Sequence, residues 1–166
     1  MTVYLDMDGV LADWFGKVEQ VYEADHWKEL NMDVVVAEIS NTNWFYKLDE
    51  FPTAKTLVAE IDKMTKGDWG ICSSPLRGDT FNSAYWKRRW LEDRNWIPKN
   101  WKDLIFTSNK EKFARASFTG EPNILVDDKL TNVDKWNDAG GIGIRYQANE
   151  DPVEYVLERV ESSLLS

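Results

Sequence analysis

The sequence predicts an α/β fold, a mainly parallel sheet with helices on both faces. Three observations predict it. Short apolar runs recur at residues 3–5, 69–72, 103–106, 123–126 and 142–145, each too short for a helix. Between them apolar residues recur at spacings of three and four, the period of a buried helix face. The two kinds of segment alternate, as in successive βαβ units, which make parallel sheets.

Val3-Tyr4-Leu5 reads as the first strand. A helix is expected from about Val10 to Ala24, with Leu11, Trp14, Phe15, Val18, Val21 and Tyr22 on its apolar side. A second helical stretch covers Val34–Ile39, and residues 41–51 are aromatic and irregular. Pro52 suits a helix's first turn and opens one whose inner face is Ala54, Leu57, Val58 and Ile61. The strand Trp69–Cys72 runs into Ser73-Ser74-Pro75, and a long helix follows near Thr80–Arg94. A third strand, Asp103–Phe106, precedes a helix expected from Asn109; a fourth, Asn123–Val126, ends at Asp127-Asp128. A helix near Asn132–Asp138 stops at Gly140, and Ile142–Arg145 is the last strand. Asp151-Pro152 is expected to cap a final amphipathic helix with Val153, Val156, Leu157 and Val160 inward.

The chain has 166 residues, enough for one domain with a small insertion. Its formal net charge of −9 argues against duplex nucleic-acid binding, which needs a basic patch. A single cysteine, Cys72, cannot form a disulfide within the chain, which fits a reducing compartment. The N-terminal stretch is no signal peptide, and no run approaches the roughly 18 apolar residues that would cross a membrane. The expectation is a cytoplasmic protein. Most of its nine tryptophans are expected in the core.

In a parallel sheet, ligands bind beyond the carboxyl ends of the strands. Four predicted strand ends carry polar groups: Asp6-Met7-Asp8-Gly9, Ser73-Ser74, Thr107-Ser108-Asn109-Lys110 and Asp127-Asp128. Acidic pairs, hydroxyls and a lysine converging there suit metal-assisted chemistry on a phosphate. Asp6 is placed to attack phosphorus, and Asp8 to protonate the leaving oxygen and later activate water. Lys110 neutralises charge on the transferring group, Ser73 and the Ser74 amide donate to it, and Mg²⁺ cancels the repulsion between phosphate and carboxylate. Gly9 permits a tight turn beside the phosphate. Asp-x-Asp-Gly also opens calcium loops, but Val10 and Leu11 supply no ligand oxygen and a strand precedes the motif.

Asp6-Met7-Asp8-Gly9-Val10-Leu11-Ala12-Asp13 resembles the first motif of the haloacid dehalogenase superfamily of phosphatases. Ile71-Cys72-Ser73-Ser74-Pro75 resembles the second, Lys110 the third and Asp127-Asp128 the fourth, in that order over roughly residues 2–146. Within the superfamily the chain is most similar to the 5'(3')-deoxyribonucleotidases, through Asn43–Leu48, Phe51–Ala54, Ile71–Leu76 and Phe106–Lys110. The resemblance implies a three-layer Rossmann-like core, residues 1–13 and 51–166, with a small helical cap, residues 14–50, inserted after the first strand. It implies Mg²⁺-dependent hydrolysis of (deoxy)nucleoside 5'- or 3'-monophosphates through an aspartyl-phosphate. Asp6, Asp8, Asp127 and Asp128 are the implied metal-site residues, one of the last two ligating and the other orienting Lys110 or water. Ser73 stands where threonine is common, and Lys129 where arginine is typical.

Other readings stand beside these. Lys112 rivals Lys110. Arg77 either reaches the phosphate or is a solvated turn residue. Trp14, Trp44 and Phe45 either stack on a nucleobase or seal the cap against the core, Trp14 being the best placed to stack. His26 reads as a surface residue, and residues 87–94 as a solvated helix face. The substrate is a small phosphate monoester, a deoxynucleotide or another such as a sugar phosphate. A catalytically silent binding protein of the same fold is the alternative of a different class.

Overall fold

The computed structural model describes all residues, 1–166. Five strands, β1 (Val3–Leu5), β2 (Trp69–Ser73), β3 (Leu104–Phe106), β4 (Ile124–Asp127) and β5 (Ile142–Arg145), form one parallel sheet in the order β3-β2-β1-β4-β5. Val3 pairs with Trp69 on one side and Ile124 on the other, so β1 is buried between β2 and β4. The helices are α1 (Trp14–Val21), α2 (Met32–Ile39), α3 (Ala54–Thr65), α4 (Thr80–Asp93), α5 (Leu130–Asp138) and α6 (Val153–Leu165). None is long and apolar enough to cross a membrane.

The strands are apolar on both faces because helices cover both, as the parallel arrangement requires. Alternate residues sort into two cores. Val3, Leu5, Ile71, Ile124 and Val126 join a cluster of 29 buried residues that takes in α3, α4 and α6. Tyr4, Cys72, Ile105 and Leu125 join a cluster of six with Ala114 and Trp136 of α5. Gly70 lets the small cluster close: a Cβ there would sit 2.6 Å from the Asp103 carbonyl oxygen and 2.7 Å from the Tyr4 ring. Five of the nine tryptophans, Trp14, Trp69, Trp90, Trp96 and Trp136, are buried. Three of these indoles keep their N–H bonded: Trp69 Nε1 donates to Asp62 Oδ1 at 2.9 Å, Trp90 Nε1 to Leu48 O at 2.7 Å and Trp136 Nε1 to Asn123 O at 2.9 Å.

Three elements differ from expectation. The first helix starts at Trp14, not near Val10, because the Met7 carbonyl accepts the amides of Leu11 and Ala12 at 2.8 and 2.9 Å and winds residues 9–12 into a turn. Asp13 then caps α1 by accepting from Gly16 N at 2.9 Å. After Asn109 a single 3₁₀ turn, Lys110–Phe113, replaces the expected helix, and Arg115 pairs back with Pro122. At α6 the Asp151 side chain does not cap the helix; it accepts from Gln147 N at 2.9 Å, holding the turn before it.

Candidate active site

The strand order reverses direction beside β1, so the carboxyl ends of β1 and β4 flank the sheet's switch point, where open α/β sheets bind ligands. A cavity of about 1120 Å³ opens there, lined among others by Asp6, Asp8, Ser74, Lys110 and Asp128. A second hollow, about 480 Å³ beside Trp69 and Trp96, has no comparable cluster; its Asp62 is spent on the Trp69 indole N–H at 2.9 Å.

Asp6 leaves β1 with its amide still bonded to Val126 O at 2.9 Å, so the sheet itself sets its position. Its Oδ1 accepts from Met7 N at 2.8 Å and pairs with Lys110 Nζ at 3.0 Å. Its Oδ2 takes no hydrogen bond, and the residue lines the cavity. Lys110 Nζ also donates to Asp127 Oδ2 at 2.7 Å, and the lysine is 3% exposed. Lys112 is exposed and forms no such pair. Asp127 is fully engaged, accepting also from Lys129 N at 2.9 Å and Asn132 Nδ2 at 3.1 Å. The Asp128 carboxylate lies against Gly9, whose φ of +84° and missing side chain make room: a Cβ would come within 2.3 Å of Asp128 Oδ2.

Asp6, Asp127 and Asp128 each present an oxygen within 4.8 Å of the others. Burial raises the Asp6 pKa to about 7, with the neighbouring Asp127 adding to it and Lys110 opposing. Burial, then the Asp6 and Asp127 charges, raise Asp128 to about 8. Burial works against the Lys110 ammonium, but the Asp6 and Asp127 carboxylates outweigh it and hold its pKa above the usual lysine range. Three crowded carboxyls, two of them paired with one lysine, form a cluster that a divalent cation would relieve, and hard oxygen donors suit Mg²⁺. Oδ1 of Asp8 is buried without a partner, which leaves a further oxygen for a ligand or a proton.

Lys87, expected on a solvated face, is instead fully buried. Its three ammonium protons meet three acceptors: Asp8 Oδ2 at 2.8 Å, Ser73 Oγ at 2.9 Å and Ser74 O at 2.6 Å. The ammonium also sits 4.7 Å from the centre of the Phe45 ring. It belongs to the buried stripe of α4 with Ser83, Trp90 and Leu91, and its spacing of three and four from Trp90 and Leu91 was the available signal. The adjacent Arg88 and Arg89 masked it.

Ser74 lines the cavity; Ser73 lies beneath it, its hydroxyl held by Lys87. Arg77 is directed away and pairs with Asp33 at 3.2 Å, both side chains 86% exposed. Trp44 and Phe45 do not line the cavity; they pack against the larger core. Trp14, the ring expected to be best placed, does line it, beside Phe15 and Trp27, which sequence reasoning missed: Trp14 meets Phe15 edge-on at 5.2 Å, and Phe15 meets Trp27 at 4.8 Å. His26 stacks on Trp27 at 5.8 Å and also lines the cavity.

With this geometry the chain is similar to two solved structures. One is a HAD family hydrolase from Deinococcus radiodurans R1 with bound phosphate and sodium, at 14% identity, covering 96% of this chain and 87% of that one, with a TM-score of 0.54. The fold is that of the HAD hydrolases. The other is a HAD hydrolase, family IA, variant 3, from Entamoeba histolytica HM-1:IMSS, at 14% identity, covering 95% and 88%, with a TM-score of 0.50. No family model and no curated protein matches the sequence. In this HAD-like fold Asp6 stands at the end of the central strand and the other carboxylates gather around it.

Proposed function

We propose that this protein is a Mg²⁺-dependent phosphohydrolase of (deoxy)nucleoside monophosphates. The observation that carries the reading is the cluster itself: Asp6 lining the cavity with its Oδ2 free of hydrogen bonds, Lys110 bridging Asp6 and Asp127, and Asp8 held by Lys87. Asp6, Asp8, Asp127 and Asp128 are the residues that would hold Mg²⁺, whose charge would offset the repulsion between a phosphate and these carboxylates.

Asp6 Oδ2 attacks phosphorus, and the bond from phosphorus to the ester oxygen breaks. Asp8 gives its proton to that oxygen, so the alcohol leaves neutral. Asp8, now a carboxylate, takes a proton from water as the water oxygen attacks the aspartyl-phosphate. Inorganic phosphate leaves and Asp6 is regenerated. Lys110 spreads the charge on Asp6 through both stages. Ser74 lies beside the phosphate, and the Lys87 ammonium fixes Asp8 and the Ser73–Ser74 turn together.

Residues 14–50 are read as the cap. They bring Trp14, Phe15 and Trp27 to the cavity wall, and an aromatic wall suits a nucleobase, which stacks on aromatic rings without strong base preference. The deciding assay is phosphate release from deoxy- and ribonucleoside monophosphates, sugar phosphates and an aryl phosphate, each with Mg²⁺ and with chelator. Chelator-sensitive turnover favouring nucleotides is expected. Turnover of sugar phosphates alone would discard the substrate and keep the chemistry; no turnover by folded protein would discard the enzyme.

A binding measurement needs no turnover. At ten times its dissociation constant, Mg²⁺ should raise the melting temperature by about 3–6 °C. Asp128→Asn should lose most of that shift. An equal shift in both proteins would remove Asp128 from the metal site.

A further inference from the structure

We propose that the substrate carries a second phosphate, held away from the reacting one by Lys135 and Arg145, with Lys129 between. This rests on the phosphohydrolase reading, keeps its chemistry at one phosphate, and replaces the monophosphate substrate by a bisphosphate.

The cavity, about 1120 Å³, is larger than one phosphate and a small leaving group need. Its wall from Lys129 to Arg145 holds three cations, Lys129, Lys135 and Arg145, and no carboxylate. The α5 helix sorts its charges to make this so. Thr131, Asn132 and Lys135, three and four residues apart, share one face and line the cavity. Val133 and Trp136 are buried, while Asp134 and Asp138, four apart, are exposed and off the cavity wall.

None of the three cations is ion-paired. In a chain with 29 acidic and 20 basic residues, carboxylate partners are abundant, so leaving this wall unpaired keeps its charge available. Arg145 Nε donates to the Asp128 carbonyl at 3.2 Å, which tethers the guanidinium and leaves its terminal nitrogens unbonded, in the fork that suits a phosphate. From Lys129 to Lys135 the helix advances about 9 Å, so the cations start beside Asp128 and lead away from the reacting centre.

The remaining carboxylates of the wall lie elsewhere. Asp13 and Glu19 accept from the amides of Gly16 and Trp27, and only Asp25 and Glu150 are uncommitted. The distribution orients a ligand with its apolar part toward Trp14, Phe15 and Trp27 and its second anion toward α5. Nucleoside bisphosphates and sugar bisphosphates share that second phosphate, and matched pairs separate them.

The test compares kcat/KM for nucleoside 3',5'-bisphosphates against the matching monophosphates, and sugar bisphosphates against sugar monophosphates. One bisphosphate class should exceed its matched monophosphate by about tenfold or more, a difference of about 1.4 kcal/mol. Lys135→Ala, at an exposed position, should remove most of that preference while leaving monophosphate turnover unchanged. Arg145→Ala should lower the bisphosphate further. Calorimetric titration of Asp6→Asn with the same pairs gives a readout independent of turnover, with tighter bisphosphate binding that Lys135→Ala abolishes. If nothing is turned over, the function falls and this titration alone decides the second-phosphate site. Equal rates and equal affinities for both members of each pair would overturn it.

Discussion

Asp6→Asn is expected to abolish turnover and, without metal, to make the protein more stable. The amide keeps an acceptor for Met7 N and fits the same space, but it is no nucleophile. Loss of a nucleophile in other covalent enzymes costs about 10⁴-fold or more. Stability should move the other way. Three carboxyls have oxygens within 4.8 Å of one another, and one buried lysine pairs with two of them, Asp6 and Asp127. Removing one leaves Lys110 paired with Asp127 at 2.7 Å and ends part of the repulsion. A gain of about 1 kcal/mol is expected, as at other active sites that trade stability for function. Phosphate release and thermal unfolding in chelator measure the two halves. Turnover within tenfold of the parent would sink the nucleophile; a melting temperature lower by several degrees would make the Asp6–Lys110 pair net structural.

Lys87→Met is expected to cost both stability and rate. Its removal strands Asp8 Oδ2, Ser73 Oγ and the Ser74 carbonyl at once. Breaking a buried pair by deleting one partner costs about 3–5 kcal/mol. Asp8 keeps 27% of its side chain exposed, so the lower end, about 3 kcal/mol, applies. Arg88→Met, next along the helix on the exposed side, should stay within about 0.5 kcal/mol. Denaturant titration of the two variants compares them directly. Equal, small effects would return Lys87 to the surface role its neighbours suggest. Below its melting point the Lys87 variant should also show a lower kcat with little change in KM, because Asp8 has lost the cation that positions it. An unchanged kcat would make the contact purely structural.

The strand ends were legible because each site carboxylate sits within three residues of an apolar run, so local pattern singled out Asp6, Asp8, Asp127 and Asp128. Lys110 was preferred to Lys112 by its place three residues past Thr107, the spacing the family resemblance implies. Lys87 was not, because its environment is made by residues from β1, β2 and the 41–50 stretch, and its helix is mostly polar on the remaining faces. The aromatic shelf was illegible for a related reason. Trp14, Trp27 and Trp44 all lie in one aromatic-rich insertion, and which ring meets the cavity depends on how short 3₁₀ turns redirect the chain at Trp27 and Trp44. The start of the first helix was overrun because Leu11 fits the helical period, while the turn that displaces it depends on Gly9 yielding space to Asp128, far along the chain.

The central place of β1 has a consequence for how the protein is made. During synthesis the first strand emerges well before both of its neighbours, β4 only after Lys110 and the whole β3 region. Such distant pairings close slowly. Until β4 docks, Asp6 stands without Asp127 and Asp128, so the cost of crowding these carboxylates falls on a late step of assembly. A nascent chain stalled before Ile124 would hold a nucleophile without those two carboxylates, with an apolar strand edge open to wrong pairing and to chaperone capture.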